Sequence, residues 1–367
     1  MSGSSDLPCP DTCAILARVI HYFFKGERLV RTRVIWAASA VTFVAGIAGA
    51  QGQHLNPLVD LAAAKKPVFG LYAPANPRAG RGGRGGPPGA PGAAAAPAQP
   101  APPLPPQKTP AELAKDAFAY APSDYIFDGG MEGDFDRGYT SFSEFIKGLA
   151  DAGPPAMRMK HPLVVKTHKI SENTALAQER IGKQLNLGVH TIVFVETESA
   201  EEVKAGLAAM RFKSNGGVRP DDVGAAPAYW GLSDKDYKAK ADLWPLNPKG
   251  ELTNWTIVES KEGLAHVREI AAVKGISVLF PGAGTLGGVF SSTDSTGRRV
   301  RDDVAWEAAI QQVLAACKEF KVPCGFPANT PEVMEMRYKQ GFSVFVIGWG
   351  ENGFKTVEAG LALSGRK

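Results

Sequence analysis

From Pro67 onward the chain alternates short, unbroken apolar runs with longer amphipathic stretches. The apolar runs are Pro67–Tyr72 (PVFGLY), Asp124–Gly129 (DYIFDG), Pro162–Thr167 (PLVVKT) and Thr191–Glu196 (TIVFVE). Four more follow at Thr253–Ser260 (TNWTIVES), Ile276–Gly282 (ISVLFPG), Val322–Phe326 (VPCGF) and Phe342–Gly348 (FSVFVIG). None shows the apolar–polar alternation of a half-exposed strand, and continuous runs are what strands covered on both faces require. Between them the spacing turns helical. Helices are predicted over Pro110–Tyr120 after the N-cap Thr109, Ser141–Ala152, Asn173–Leu187 before Gly188, and Ser199–Phe212, which opens on SAEE. The rest are Glu262–Lys274 ahead of Gly275, Ala305–Phe320, Pro331–Gln340 ahead of Gly341, and Phe354–Leu363. Eight strand–helix repeats predict an α/β chain folded as a (β/α)8 TIM barrel. An open doubly wound sheet is the alternative, because periodicity does not show closure. No G-x-G-x-x-G follows the first run, which argues against a dinucleotide fold.

Two stretches stand outside this rhythm. Lys25, Arg28, Arg31 and Arg33 precede an apolar run from Val34 to Ala50 that ends in Ala48-Gly49-Ala50. Basic residues, an apolar run and small residues in that order predict a signal peptide cleaved before Gln51 and an exported, periplasmic or secreted protein. The alternative is an uncleaved membrane anchor over residues 34–50. Residues 1–50 are thus an N-terminal extension and residues 51–367 the barrel. The second stretch, residues 76–108, is rich in Pro, Gly and Ala. It cannot bury apolar surface and is expected to be a disordered insert. Its two Arg-Gly-Gly repeats are too few to argue for RNA.

Composition adds mainly exclusions. At 367 residues, 44% hydrophobic and 21% charged, the chain is neither wholly disordered nor a multi-pass membrane protein. A net charge of +4 gives no case for nucleic acid. Four cysteines supply no disulfide framework: Cys9 and Cys13 lie in the extension, and Cys317 and Cys324 read as small buried residues.

In a (β/α)8 barrel the chemistry sits at the carboxyl ends of the strands. Polar residues gather there: Asp128, Glu132, Asp134 and Asp136 after the second run, Lys166 and His168 after the third, and Glu196 and Glu198 after the fourth. Glu259 closes the fifth, WTIVE, and is expected to point into the barrel mouth. Carboxylates in such a ring are the ligands hard divalent cations prefer.

At these residues the chain resembles the HpcH/HpaI aldolase family, the 2-keto-3-deoxy acid aldolases grouped with citrate lyase. NPLVDLAAAKKPVFGLYAP resembles the family's opening strand, DYIFDGGMEGDFD its acidic segment, and GVHTIVFVETESAEEV its fourth unit. TIVESKEG resembles the metal-glutamate strand, FPGAGTLGG the Gly-Pro-Gly-Asp-Leu loop, and VPCGFPANTPEVMEMRYKQGFSVFVIG the seventh and eighth strands. The resemblance implies a barrel of the phosphoenolpyruvate/pyruvate-binding type, a homo-oligomer, and cleavage of a 2-keto acid to pyruvate and an aldehyde. It also implies a Mg²⁺ or Mn²⁺ ion that polarises the keto oxygen. Carried over, the metal glutamate falls on Glu259, with Glu196 a candidate second ligand, and Gly282, Gly284 and Thr285 form the loop for the pyruvate carboxylate. The family's metal aspartate falls on Thr285, its histidine on Gly133, that histidine's Asp partner on Asn186, its arginine on Lys166 and a glutamine on Ile257. Two readings follow. One is a carbon–carbon lyase with a rebuilt site, in which Glu132, Glu196 or Asp134 replaces the lost ligand and His168 or Lys166 the lost base. The other is an exported binding or scaffold protein on a catalytically impaired barrel.

Overall fold

Ten strands form, eight of them over the apolar runs. They are β1 (Val68–Tyr72), β2 (Ile126–Asp128), β3 (Leu163–Lys166), β4 (Thr191–Phe194), β5 (Thr253–Val258) and β6 (Val278–Pro281), then a hairpin of β7 (Ser291–Thr293) and β8 (Arg299–Arg301), then β9 (Gly325–Pro327) and β10 (Val344–Ile347). These come from a computed structural model that describes residues 54–76 and 106–366. The sequence expectations for residues 1–50 and for most of the insert lie outside the described residues.

Eight strands make one parallel sheet in the order β6-β5-β4-β3-β2-β1-β10-β9. Its two edges meet at a single bridge, Leu279 to Cys324, where the Leu279 N–H donates to the Pro323 carbonyl at 3.0 Å. The sheet is therefore a nearly closed barrel with a hairpin inserted after its sixth strand, and the open-sheet alternative is set aside.

Alternation along each strand sorts the core into two layers. Val68, Tyr125, Phe127, Val164, Val193, Trp255, Val278 and Val344 fill the barrel interior. Phe69, Ile126, Leu163, Val165, Ile192 and Phe345 point outward against the helices. Gly70 is required where it stands, since a Cβ there would overlap the Tyr125 ring.

The helices are α1 (Pro57–Ala63), α2 (Pro110–Ala119), α3 (Phe135–Ala152), α4 (Pro155–Arg158), α5 (Thr174–Asn186), α6 (Ala200–Met210), α7 (Ala226–Trp230), α8 (Asp234–Lys240), α9 (Lys261–Ala265), α10 (Val267–Ala271), α11 (Ala283–Val289), α12 (Asp303–Phe320), α13 (Pro331–Gln340) and α14 (Glu351–Leu363). Side-chain caps start most of the long ones. Thr109 and Glu112 form a complete capping box on α2, and Asn173, Ser199 and Thr330 cap α5, α6 and α13.

Several expectations need correction. The segment resembling an opening strand begins with α1, capped by Asn56, which places Leu58 in the base of the barrel interior. The single helix expected over Glu262–Lys274 is two, α9 and α10, broken at His266, whose Nδ1 lies 3.0 Å from the Glu198 carbonyl. Helix α3 begins at Phe135, six residues before the predicted Ser141, because Asp134 caps it. Cys317 and Cys324 are buried as expected but bonded to each other as a disulfide, with Cα atoms 5.6 Å apart.

The ends of the insert are clasped. Asn76 Nδ2 donates to the Lys108 carbonyl at 2.7 Å, and the Lys108 N–H returns to Asn76 Oδ1 at 2.8 Å. The reciprocal pair holds the ends of β1 and α2 together whatever lies between. Deleting residues 78–105 should accordingly change unfolding free energy by no more than about 1 kcal/mol, since loop length enters closure entropy only logarithmically. Chemical denaturation of the two proteins checks it, and a loss of several kcal/mol would show that the insert packs.

Candidate active site

The inward stripe of the barrel continues past its apolar layers into the mouth. Two residues beyond Val164 it reaches Lys166, four beyond Trp255 it reaches Glu259, four beyond Val278 it reaches Gly282, and four beyond Val68 it reaches Tyr72. Glu259 is thus placed as its sequence position predicts, and Tyr72 is a site residue that the sequence reading missed. Its signal was available: a polar-tipped aromatic ends the first apolar run in phase with Val68.

Lys166 and Glu132 form the centre of the site. Lys166 Nζ donates to both oxygens of Glu132, at 3.0 and 2.9 Å, with the two side chains 17% and 35% exposed. Burial pulls the Lys166 ammonium down, but the Glu132 carboxylate outweighs it, so the group stays above the usual lysine range. A lysine so held is a fixed cation and a poor base. Gln184, fully buried on α5, positions it by donating to the Lys166 carbonyl at 2.8 Å. Tyr72 is 38% exposed, and desolvation of its phenol raises it, partly offset by the charge of Lys166, so it keeps its O–H.

Glu259 is 4% exposed, and its Oε1 accepts the Glu196 N–H at 3.0 Å. That bond holds Glu196 at φ 47°, a left-handed conformation unusual outside glycine. Strain of this kind concentrates at functional sites. The Glu196 carboxylate turns away toward Lys169, 3.7 Å from its Nζ, which also binds Glu198 at 3.0 Å. Glu196 thus gives its N–H to Glu259 while its carboxylate, expected from the sequence as a candidate ligand, faces Lys169. On the other side of Glu259 stands Gly282, where a Cβ would fall 2.5 Å from Glu259 Oε2.

Gly282 also starts α11. Its N–H is spent on the Val258 carbonyl at 2.9 Å, and no side chain caps the helix. The first-turn donors are therefore those of Ala283, Gly284 and Thr285. Of the expected Gly282, Gly284 and Thr285, the last two lie in that first turn, while Ala283 stands in place of Gly282 as the first donor.

The other candidates are less available. His168 Nδ1 lies 3.0 Å from the Glu132 carbonyl and Nε2 lies 2.7 Å from Glu172 Oε2, so both ring nitrogens face acceptors. Both nitrogens are thus engaged within the protein rather than open to a substrate. Asp134 accepts the Arg137 N–H at 3.2 Å as the cap of α3. Asp128 accepts the Gly130 N–H at 2.8 Å, and burial raises its carboxyl. Asn186 ends α5, where it binds Asp222 and Arg219, each at 2.8 Å. That is the far end of a helix running back from the mouth, so it orients no base there.

The donor set does not fit the divalent metal that the resemblance implies. Among the described residues no three His, Cys, Asp or Glu side chains are grouped to hold an ion. Glu259 has one oxygen committed to backbone, Glu132 is committed to Lys166, and Thr285 supplies no charge. Affinity for hard cations follows ligand charge. Wild-type protein should therefore bind Mn²⁺ no tighter than about millimolar, and Thr285→Asp should tighten binding by about tenfold, or about 1.4 kcal/mol. Calorimetric titration reads both, and tight wild-type binding lost in Glu259→Ala would restore the metal site.

The chain is a (β/α)8 protein whose carboxyl end brings together a fixed cation, a buried carboxylate and an uncapped helix start. The sequence model of the HpcH/HpaI aldolase/citrate lyase family matches residues 158–345, just over half of the chain, and the chain belongs to that family. A curated 2-dehydro-3,6-dideoxy-6-sulfogluconate aldolase from Pseudomonas putida is 27% identical over 167 residues, which are 45% of this chain and 59% of the aldolase. An HpcH/HpaI family protein from Burkholderia cenocepacia J2315 superposes with TM-score 0.55 at 19% identity, over 80% of this chain and 92% of its own. An HpcH/HpaI aldolase from Desulfitobacterium hafniense DCB-2 does so with TM-score 0.54 at 12% identity, over 80% and 90%. At such identities the two structures speak for the fold. Tyr72 and Glu132 precede the family match, so the site joins matched and unmatched parts of the chain.

Proposed function

We propose that the mouth is a carbon–carbon lyase site that cleaves a 4-hydroxy-2-keto acid to pyruvate and an aldehyde. The observation that carries this reading is the two-point Lys166–Glu132 pair at the carboxyl end of the barrel, the end at which α11 starts uncapped. The family's aldolase and citrate lyase names support the reaction class.

The substrate carboxylate binds the first-turn amides at Ala283, Gly284 and Thr285, where the helix dipole favours an anion. Glu132 takes the proton of the 4-hydroxyl. The C3–C4 bond breaks, its electrons moving to the C2 carbonyl, and the aldehyde leaves. Glu132 is neutral at that moment, so the Lys166 ammonium turns its charge to the enolate oxygen, with the Tyr72 O–H as second donor. Glu132 then returns the proton to C3, giving pyruvate. The pair gains one positive charge while the enolate carries one negative charge, and both are lost when the proton reaches C3. A bound Mg²⁺ or Mn²⁺ would supply Lewis-acid polarisation of the keto oxygen. The donor set falls short of holding one, and in this proposal Lys166 carries that charge. Glu259 sets the mouth by holding Glu196 and abutting Gly282, and His168 pins the Glu132 backbone.

The test is pyruvate release from a panel of 4-hydroxy-2-keto acids by the full chain in excess chelator. Release that survives chelation and is lost in Glu132→Gln supports the proposal. Release that requires added Mn²⁺ contradicts the role given to Lys166.

A further inference from the structure

The opposite, N-terminal end of the barrel holds a cavity of about 380 Å³ that the lyase reading leaves unused. The tryptophans Trp244 and Trp255 line it together with apolar residues of the lowest interior layer. Around it stand four lysines, Lys65, Lys66, Lys318 and Lys321, and no Asp or Glu is among its lining residues. None of the four ammonium groups forms an ion pair among the described residues. Elsewhere the exposed lysines of this chain commonly do, as Lys108, Lys183, Lys339 and Lys355 show.

The backbone marks the same place. Only three non-glycine residues among those described have positive φ, and two of them are Lys65 at 52° and Lys321 at 57°. Lys321 is the C-cap of α12 and Lys65 follows the C-cap of α1. Glycine is the cheap residue at such positions. A basic residue near a helix C-terminus has an ordinary electrostatic role, but that role requires no left-handed lysine. The Cys317–Cys324 bond spans the turn that carries Lys318 and Lys321 and ties it to the lip of β9.

We propose that this cavity is a second ligand site, for a small organic anion with a flat apolar body and a carboxylate or phosphate head. The apolar body lies against the tryptophans, and the head meets the lysines at the rim. The volume falls within the range of small-molecule sites. The site does not depend on the reaction assigned to the mouth.

The probe is 2-naphthoate, titrated into the full chain by calorimetry and by tryptophan fluorescence. One saturable site is expected, with a dissociation constant near millimolar, about what a ligand of this size attains in a preformed pocket. Lys65→Gly with Lys321→Gly removes two cations where glycine is conformationally favoured. Affinity should fall by at least about fivefold while the thermal midpoint holds or rises. Lys318→Gln should weaken binding in the same direction, and Lys166→Met at the mouth should leave it unchanged. The proposal is overturned by absent saturation, by unchanged affinity in the double glycine variant, or by loss of binding in Lys166→Met. Equal binding of uncharged 2-naphthylmethanol would remove the lysines from the account, equal binding of inorganic phosphate would remove the tryptophans, and binding only to phosphatidylserine vesicles would replace the small ligand with a membrane surface.

Discussion

Lys166→Met should lower kcat for keto-acid cleavage by about 10²–10³-fold, a loss of about 3–4 kcal/mol of transition-state stabilisation. Methionine keeps the length and apolar stem of the side chain and removes only the charge. Glu132, 35% exposed, can turn to water once its partner is gone, so the fold should be retained. The ammonium acts on charge that develops in the reaction, so the loss should fall on kcat more than on KM. Lys166→Arg keeps the cation but exchanges a point charge for a planar fork, and an intermediate loss is expected. Equal losses in kcat and thermal midpoint would assign Lys166 a structural role instead.

Acid should unfold this protein through His190 before its carboxylates titrate. The imidazole is fully buried, and burial lowers its pKa to about 3. Its Nδ1 accepts the Leu163 N–H at 3.2 Å, and its ring stacks on Trp230 with centroids 4.7 Å apart. The folded state therefore holds the neutral imidazole, while the unfolded chain binds a proton below about pH 6.5. The contribution is fully present above pH 6.5 and declines as pH falls toward 3. The expected slope is about 1.4 kcal/mol per pH unit, reaching about 5 kcal/mol at pH 3. Burial lowers His161 as well, which adds in the same direction. Urea unfolding from about pH 7.5 to 4.5 measures the slope above the range where most carboxylates protonate. His190→Gln, which keeps an acceptor for Leu163, should flatten it by close to one proton, and an unchanged slope would place the sensitive group elsewhere.

The barrel was legible because its strands are buried on both faces, which writes each as an unbroken apolar run. Boundaries were less so. Helix α3 begins in the acidic, glycine-bearing segment around Asp134, where cap chemistry rather than apolar spacing marks the start. The disulfide was invisible because two cysteines separated by seven positions reveal a bond only when a helix end and a strand are folded against each other. In the site, the two-residue period of β5 put Glu259 in the mouth. The same period puts Tyr72 there, but an aromatic at the end of a strand reads equally well as core. The Lys166–Glu132 pair joins the end of β3 to a loop 34 positions away, and the orientation of Glu196 depends on a backbone bond to Glu259. Neither is written in local sequence. The exchange of Gly282 for Ala283 as first donor has the same origin, since the Gly282 N–H is taken by the Val258 carbonyl across strands.

The central claim is that Lys166 and Glu132 stabilise and protonate a pyruvate enolate. Exchange of the methyl protons of pyruvate with solvent tests it without knowledge of the aldehyde. Pyruvate incubated with the full chain in deuterium oxide and excess chelator, followed by proton NMR, should lose its methyl signal in wild type. Lys166→Met and Glu132→Gln should each slow that loss by about 10²-fold or more. Wild-type exchange no faster than the buffer rate, or exchange of equal speed in Lys166→Met, would contradict the account.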